Sequence, residues 1–122
     1  MALALDIMKG GHSSGGAKAI NGQVSSSVTA AGTVISDAFD LIASVNILTT
    51  VASGAGVQLP SGEVADSVEI LNLGANAATI YPDSTSGRIN QLTAGAGFLL
   101  PINTAVTCKK FTSTRWMAWL SA

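Results

Sequence analysis

The sequence predicts a mainly β fold: a small antiparallel β-sandwich or barrel-like domain with an extended N-terminal arm. Three observations predict it. Short runs rich in Val, Ile, Leu and Thr alternate with Gly, Asn, Asp and Pro from Ile47 to the C-terminal end. Residues 1–27 have a linker composition instead. Charged residues make up 11% of the 122, less than half of the roughly 25% usual in soluble domains. The length suits one domain. We divide the chain into an arm, 1–27, and a β-rich oligomerising domain, 28–122.

The arm is read from the run Gly10-Gly11-His12-Ser13-Ser14-Gly15-Gly16 and from Ser25-Ser26-Ser27 at its end. So little apolar surface cannot offset the entropy of ordering the segment alone. Leu3, Leu5, Ile7 and Met8 are its apolar groups and the expected contacts to a larger assembly. Asp6 interrupts them and no basic stretch precedes them, so an export signal is not expected.

Residues 34–43 leave helix and strand both open: Ile35, Phe39 and Ile42 have helical spacing, and Asp37 and Asp40 suit a first turn. Ile47–Val51 reads as a strand. Val68–Leu73 alternates and ends at the turn Gly74-Ala75-Asn76. Ala78–Tyr81 is stopped by Pro82, and Asp83–Gly87 is a loop. Arg88–Leu92 is short and extended, and Gly97–Leu100 is a strand ended by Pro101. Ala105–Phe111 is the longest strand, with Val106, Cys108 and Lys110 on one face. Arg115–Leu120 closes the chain; Trp116 and Ala118 face one way, Met117 and Trp119 the other. Gly54-Ala55-Gly56-Val57-Gln58-Leu59-Pro60 is echoed by Gly95-Ala96-Gly97-Phe98-Leu99-Leu100-Pro101, one turn–strand–stop device used twice.

Composition also speaks to partners. A small domain has much surface for its volume. With few charges, that surface must be Ser, Thr, Asn, Gly, Ala and apolar groups, which is best explained if other subunits cover it. A final strand with large groups on both faces needs cover on both. Trp116, Met117 and Trp119 are therefore the expected oligomer contacts. The net charge of −1 makes no electrostatic case for nucleic acid or an anionic membrane. The charge-free stretch 41–62 contains Pro60, glycines and many hydroxyl and amide side chains, which argues against a membrane span.

Catalytic and metal chemistry find little footing. The one histidine, His12, lies in the glycine–serine arm, where a base cannot hold the geometry that serine-type catalysis needs. One His and one Cys far apart do not make a zinc site. Asp37 with Asp40, and Glu63 with Asp66, fit no calcium loop and read as solvated turns. The acidic residues from Asp37 to Asp83 lack the aromatic platform a glycosidase would want. Residues 11–19 miss the phosphate-loop pattern, with Ala17 before Lys18 and Ala19 where a hydroxyl belongs. Lys110-Phe111 and Arg115-Trp116 are too few for a nucleic-acid stacking platform. Cys108 excludes an intramolecular disulfide and reads as a small buried hydrophobe. No enzyme activity and no cofactor are expected.

Three stretches carry a resemblance. They are Asn46–Pro60; Val68–Asn76 with Ile80-Tyr81-Pro82 and Gly87-Arg88-Ile89-Asn90; and Ser113-Thr114-Arg115-Trp116-Met117-Ala118. In that order and spacing they resemble the β domains of tailed-bacteriophage capsid decoration, cement and head-fibre proteins. The resemblance implies a structural protein on the capsid surface of a virion, made in the host cytoplasm. It implies a homo-oligomer, commonly a trimer, with the major capsid protein as the other partner. It does not cover the arm and carries over no catalytic residue. A different class, a receptor- or glycan-binding module of a fibre or tail component, would require a pocket lined by Tyr81, Arg88 or Trp119 for a host-surface glycan.

Overall fold

The computed structural model describes residues 23–121. Among the described residues, ten strands form two sheets: β1 (Val24–Thr29), β2 (Phe39–Asp40), β3 (Val45–Thr50), β4 (Gly56–Gln58), β5 (Ser67–Asn72), β6 (Ala78–Tyr81), β7 (Arg88–Ile89), β8 (Phe98–Leu100), β9 (Thr104–Thr112) and β10 (Arg115–Leu120). One sheet has the order β1-β3-β5-β9-β10-β7, the other β2-β4-β6-β8. The strands from β1 to β8 alternate between the sheets, so the chain winds like a solenoid. The hairpin β9–β10 ends the winding within one sheet. No helix among the described residues is long and apolar enough to cross a membrane.

The fold is mainly β in two sheets, as expected, and the pairing adds detail. Antiparallel ladders join β5–β9, β9–β10 and β6–β8. The windings pair in parallel: β1–β3–β5 in one sheet, β2–β4–β6 in the other, with β7 parallel to β10 at the far edge. The winding itself requires this, because each pass returns to its sheet in the same direction after crossing the other. Strand β1 starts at Val24, ahead of the expected domain boundary at Val28.

Between the sheets lies one core cluster, with Leu48, Ile70, Val106, Cys108 and Trp116 from the larger sheet and Val57, Leu59, Ile80 and Leu100 from the smaller side. Residues 34–43 resolve into a single turn followed by β2. Asp37 Oδ1 accepts from the N–H groups of Thr33 and Val34, and the Ala38 N–H donates to Val34 O. The turn goes no further because the chain must extend to pair Phe39 with Val57.

Corners are fixed by asparagine amides. Asn72 is fully buried. Its Nδ2 donates to Asn76 O at 3.0 Å and Leu100 O at 3.1 Å, and its Oδ1 accepts from Gly74 N at 2.9 Å. Asn76 Nδ2 in turn donates to Val51 O. One carboxamide thus ties its own turn to the strand before it and to β8. Asn90 grips β10 at both ends of its amide, donating to Ala118 O and accepting from Ala118 N.

The sequence echo has a structural cause. Strands β4 and β8 flank β6, and the Tyr81 ring at the end of β6 lies between Gly56 and Gly97. A Cβ on Gly56 would come within 2.7 Å of Tyr81 Cε2, and one on Gly97 within 3.1 Å of Cε1. Gly54 and Gly95, at the head of each Gly-Ala-Gly, take matching positive φ angles of 78° and 77°. Each Gly-Ala-Gly therefore turns the chain and then lets backbone approach the same ring. Tyr81 Oη donates to Thr33 O, which satisfies its hydroxyl. Gly56→Ala should lower stability by about 1–3 kcal/mol through overpacking on Tyr81 and Thr79, read from urea unfolding midpoints. An unchanged midpoint would show that the ring has room to shift.

Candidate functional site

The outer face of the six-stranded sheet is the candidate site, and strand alternation decides what it displays. Asn46 and Leu48, Val68 and Ile70, Val106, Cys108 and Lys110, and Trp116 point inward and are buried. Their neighbours point out. Pairing aligns these into rows: Ile47–Leu71–Ala105, then Val45–Glu69–Thr107–Trp119, then Ser67–Lys109–Met117. Glu69 and Lys109 are the charged members of these rows. Val45, Ile47, Leu71, Ala105, Thr107 and Met117 are half-buried by one another, while Trp119 is 50% exposed. This is a mostly apolar face with an indole standing on it. Aromatic anchors of this kind carry much of the energy where protein surfaces meet.

The expected contact residues separate accordingly. Met117 and Trp119 lie on this face. Trp116 is corrected: it is 0% exposed inside the core and presents no surface to a second copy. The alternation of β10 was legible in the sequence, but which side the core would take was not. Leu3, Leu5, Ile7 and Met8 lie outside the described residues, as does His12. Tyr81, Arg88 and Trp119 share no pocket: Tyr81 is buried at the end of β6, Arg88 is on edge strand β7, and Trp119 is on the outer face.

Beneath the face sits a charged pair that sequence reasoning missed. Lys110 Nζ bonds Asp83 Oδ2 at 2.8 Å and Gly62 O at 2.8 Å. Both side chains are over nine-tenths buried. The ammonium stands 5.9 Å from the centre of the Trp116 ring. Only the inward phase of Lys110 on β9 hinted at this; its partner is distant in sequence, on a loop that reads as solvated. Burial strengthens the attraction and makes an unpaired member costly. The pair pins the Asp83 loop and the Gly62 segment over the open side of Trp116.

Beside it runs a cleft of about 340 Å³ between residues 42–44, residues 60–63 and the start of β5, with Trp116 in its wall. Glu63 and Asp66 stand at its mouth, and Asp66 Oδ2 accepts from Glu63 N at 2.8 Å. Trp116 Nε1–H and Asn46 Oδ1 are buried without a partner. The cleft holds no nucleophile paired with a base, and no three metal-ligating side chains cluster among the described residues. Cys108 is buried and its thiol is pushed up to about 12 by desolvation, which disfavours the reactive thiolate.

No family model matches the chain, and no curated protein or solved structure is detectably similar to it.

Two outcomes are expected from the buried groups. Lys110→Met alone should cost about 3–5 kcal/mol, because it strands the Asp83 carboxylate, whereas Lys110→Met with Asp83→Leu should recover most of that loss. Equal unfolding midpoints for the single and double variants would contradict the pairing. Cys108 should resist a thiol reagent in the native protein at about pH 8 and react once denatured. Because its folded pKa, about 12, lies above the ordinary 9.0, the unfolded thiol loses its proton first. Its contribution to stability is whole below pH 9.0 and shrinks as pH climbs toward about 12. A Cys108→Ala variant should lack that part of the alkaline decline, measured by denaturant unfolding across pH.

Proposed function

We propose that this chain is a non-enzymatic structural protein of a tailed-bacteriophage virion. It decorates or cements the capsid surface as a symmetric homo-oligomer, with three copies as the resemblance implies, and the major capsid protein is its second partner. The observation that carries the reading is the apolar outer face bearing Trp119 and Met117. A chain with 11% charged residues that sets a half-exposed indole on the outer face of a sheet is poorly suited to stand alone in water. Closed cyclic symmetry covers such a face with copies of itself and leaves no open end to the assembly. Two packed sheets wound over one core make a compact, stiff unit, which a shell-bracing role requires. The glycan-binding alternative draws no comparable support, because the cleft beside Trp116 is lined by none of Tyr81, Arg88 and Trp119.

The test is assembly followed by location. The full chain should scatter light as an oligomer at micromolar concentration. Trp119→Lys should shift it to a monomer with unchanged far-UV circular dichroism. Electron microscopy of the parent particle, with and without the chain, should then reveal density on the head exterior that the chain accounts for. A monomeric wild type would remove the oligomer from the reading, and density confined to the tail would remove the capsid. Specific binding on a glycan array would transfer the protein to the receptor-binding class.

A further inference from the structure

The basic residues among those described are Arg88, Lys109, Lys110 and Arg115. Lys110 points inward and is held by Asp83. Among the described residues the other basic side chains form no ion pair. They stand on the outer face of the six-stranded sheet, on the adjacent strands β7, β10 and β9. Buried neighbours set their phase. Ile89 and Trp116 are 0% exposed inside the core, so Arg88 and Arg115 turn the other way. Lys109, between the buried Cys108 and Lys110, turns outward as well.

The register brings them together. Arg88 pairs directly with Arg115 across the parallel β7–β10 ladder, which sets the two strands about 5 Å apart there. Lys109 faces Met117, which shares the outward phase of Arg115 on β10. The β9–β10 ladder slips between Arg115 and Trp116, where Thr112 and Lys110 are the facing residues. The β7–β10 pairing does not slip, and Lys109 with Met117 lies past the irregularity.

Like charges side by side on neighbouring strands repel. Glu69 shares the face, diagonal to Lys109 across the β5–β9 ladder, yet forms no ion pair. A chain that carries few charges has thus gathered its unpaired cations in one strip. A conflict that the fold leaves unresolved is expected at a functional surface.

The complementary charge is on the same chain. Asp40, Glu63 and Asp66 are exposed. They line two adjoining clefts that share Ile42, Pro60 and Ser61, and neither cleft has a basic side chain in its wall. Among the described residues these carboxylates also form no ion pair.

We infer that the strip of Arg88, Arg115 and Lys109 on one copy receives the carboxylates of Asp40, Glu63 and Asp66 from the next copy. Guanidinium and carboxylate match in shape as well as in sign. The contact joins two different patches, a head-to-tail arrangement that cyclic symmetry repeats until the ring closes. The strip adjoins Met117 and Trp119, so one neighbour covers the apolar face and its cationic end together. The inference rests on the homo-oligomer reading and adds a direction to it.

Sedimentation of the full chain tests the pairing. Arg88→Glu with Arg115→Glu should weaken self-association at least tenfold, and so should Asp40→Lys with Glu63→Lys. Asp66 stays, because its carboxylate accepts from Glu63 N in its own turn. Joining all four substitutions in one chain reverses both patches and should return self-association to within threefold of wild type. A joined variant no better than either pair overturns the inference. So does unchanged self-association in either pair, and the oligomer reading then stands on Trp119 alone. A monomeric wild type removes both. Reversal that spares the oligomer but abolishes binding to the parent shell also overturns the inference, assigning the strip to a different acidic partner. Because charge reversal can unfold a subunit, Arg88→Gln is the milder variant. It relieves the repulsion, so it should weaken self-association at least threefold without lowering the thermal midpoint. A lowered midpoint with unchanged association would make Arg88 a structural residue and refute the contact.

Discussion

A chain that shuttles between two sheets must leave a hydrogen-bonded ladder at every crossing. The rest of the structure depends on how the freed backbone groups are answered. Asparagine amides do much of this. Asn72 closes its own turn and reaches β8, Asn76 reaches back to Val51, and Asn90 takes both polar groups of Ala118. The buried amide of Asn72, with both its polar atoms engaged, adds stability and allows few alternative arrangements. The core can then be made of small and medium side chains, because the corners and not bulk fix the spacing of the sheets. Where bulk does enter, as with Tyr81 and Trp116, glycine or a charged pair is set around it.

The two tryptophans show how one strand serves two purposes. Alternation along β10 sends Trp116 into the core beneath Lys110 and lifts Trp119 into solvent on the opposite face. Over the inward indole, Lys110 ties the Asp83 loop and the Gly62 segment to the sheet. The outward one stands among half-buried neighbours that β3, β5 and β9 contribute. The same strand that displays the face also packs beneath it, which leaves the face little to order.

Much of this was legible in the sequence, and the failures have physical reasons. The strands from Val68 to Leu120 follow from period-two alternation punctuated by Gly74, Pro82 and Pro101. Burial of Cys108 with Val106 and Lys110 follows from the same period. Pairing direction does not, because a strand alternates identically in parallel and antiparallel ladders. Helical spacing at 34–43 arose by chance in a segment that makes one turn and then crosses. The run Ser25-Ser26-Ser27 was read as linker because hydroxyls fit both a loop and an uncovered edge strand. Neither the Lys110–Asp83 contact nor the choice of core side for β10 leaves a local mark, since each is decided by residues distant in sequence.

The switch from parallel to antiparallel pairing at β5–β9 makes the architecture polar from end to end. Past that junction the chain runs the opposite way and closes in a hairpin, and only the two-residue β7 follows on that flank. Lengthening by duplication of a coil is therefore one-sided: extra turns could be appended ahead of β1 but not beyond β9. Kindred molecules of greater size should differ in the number of coils on the amino-terminal flank and retain the hairpin as a fixed stopper.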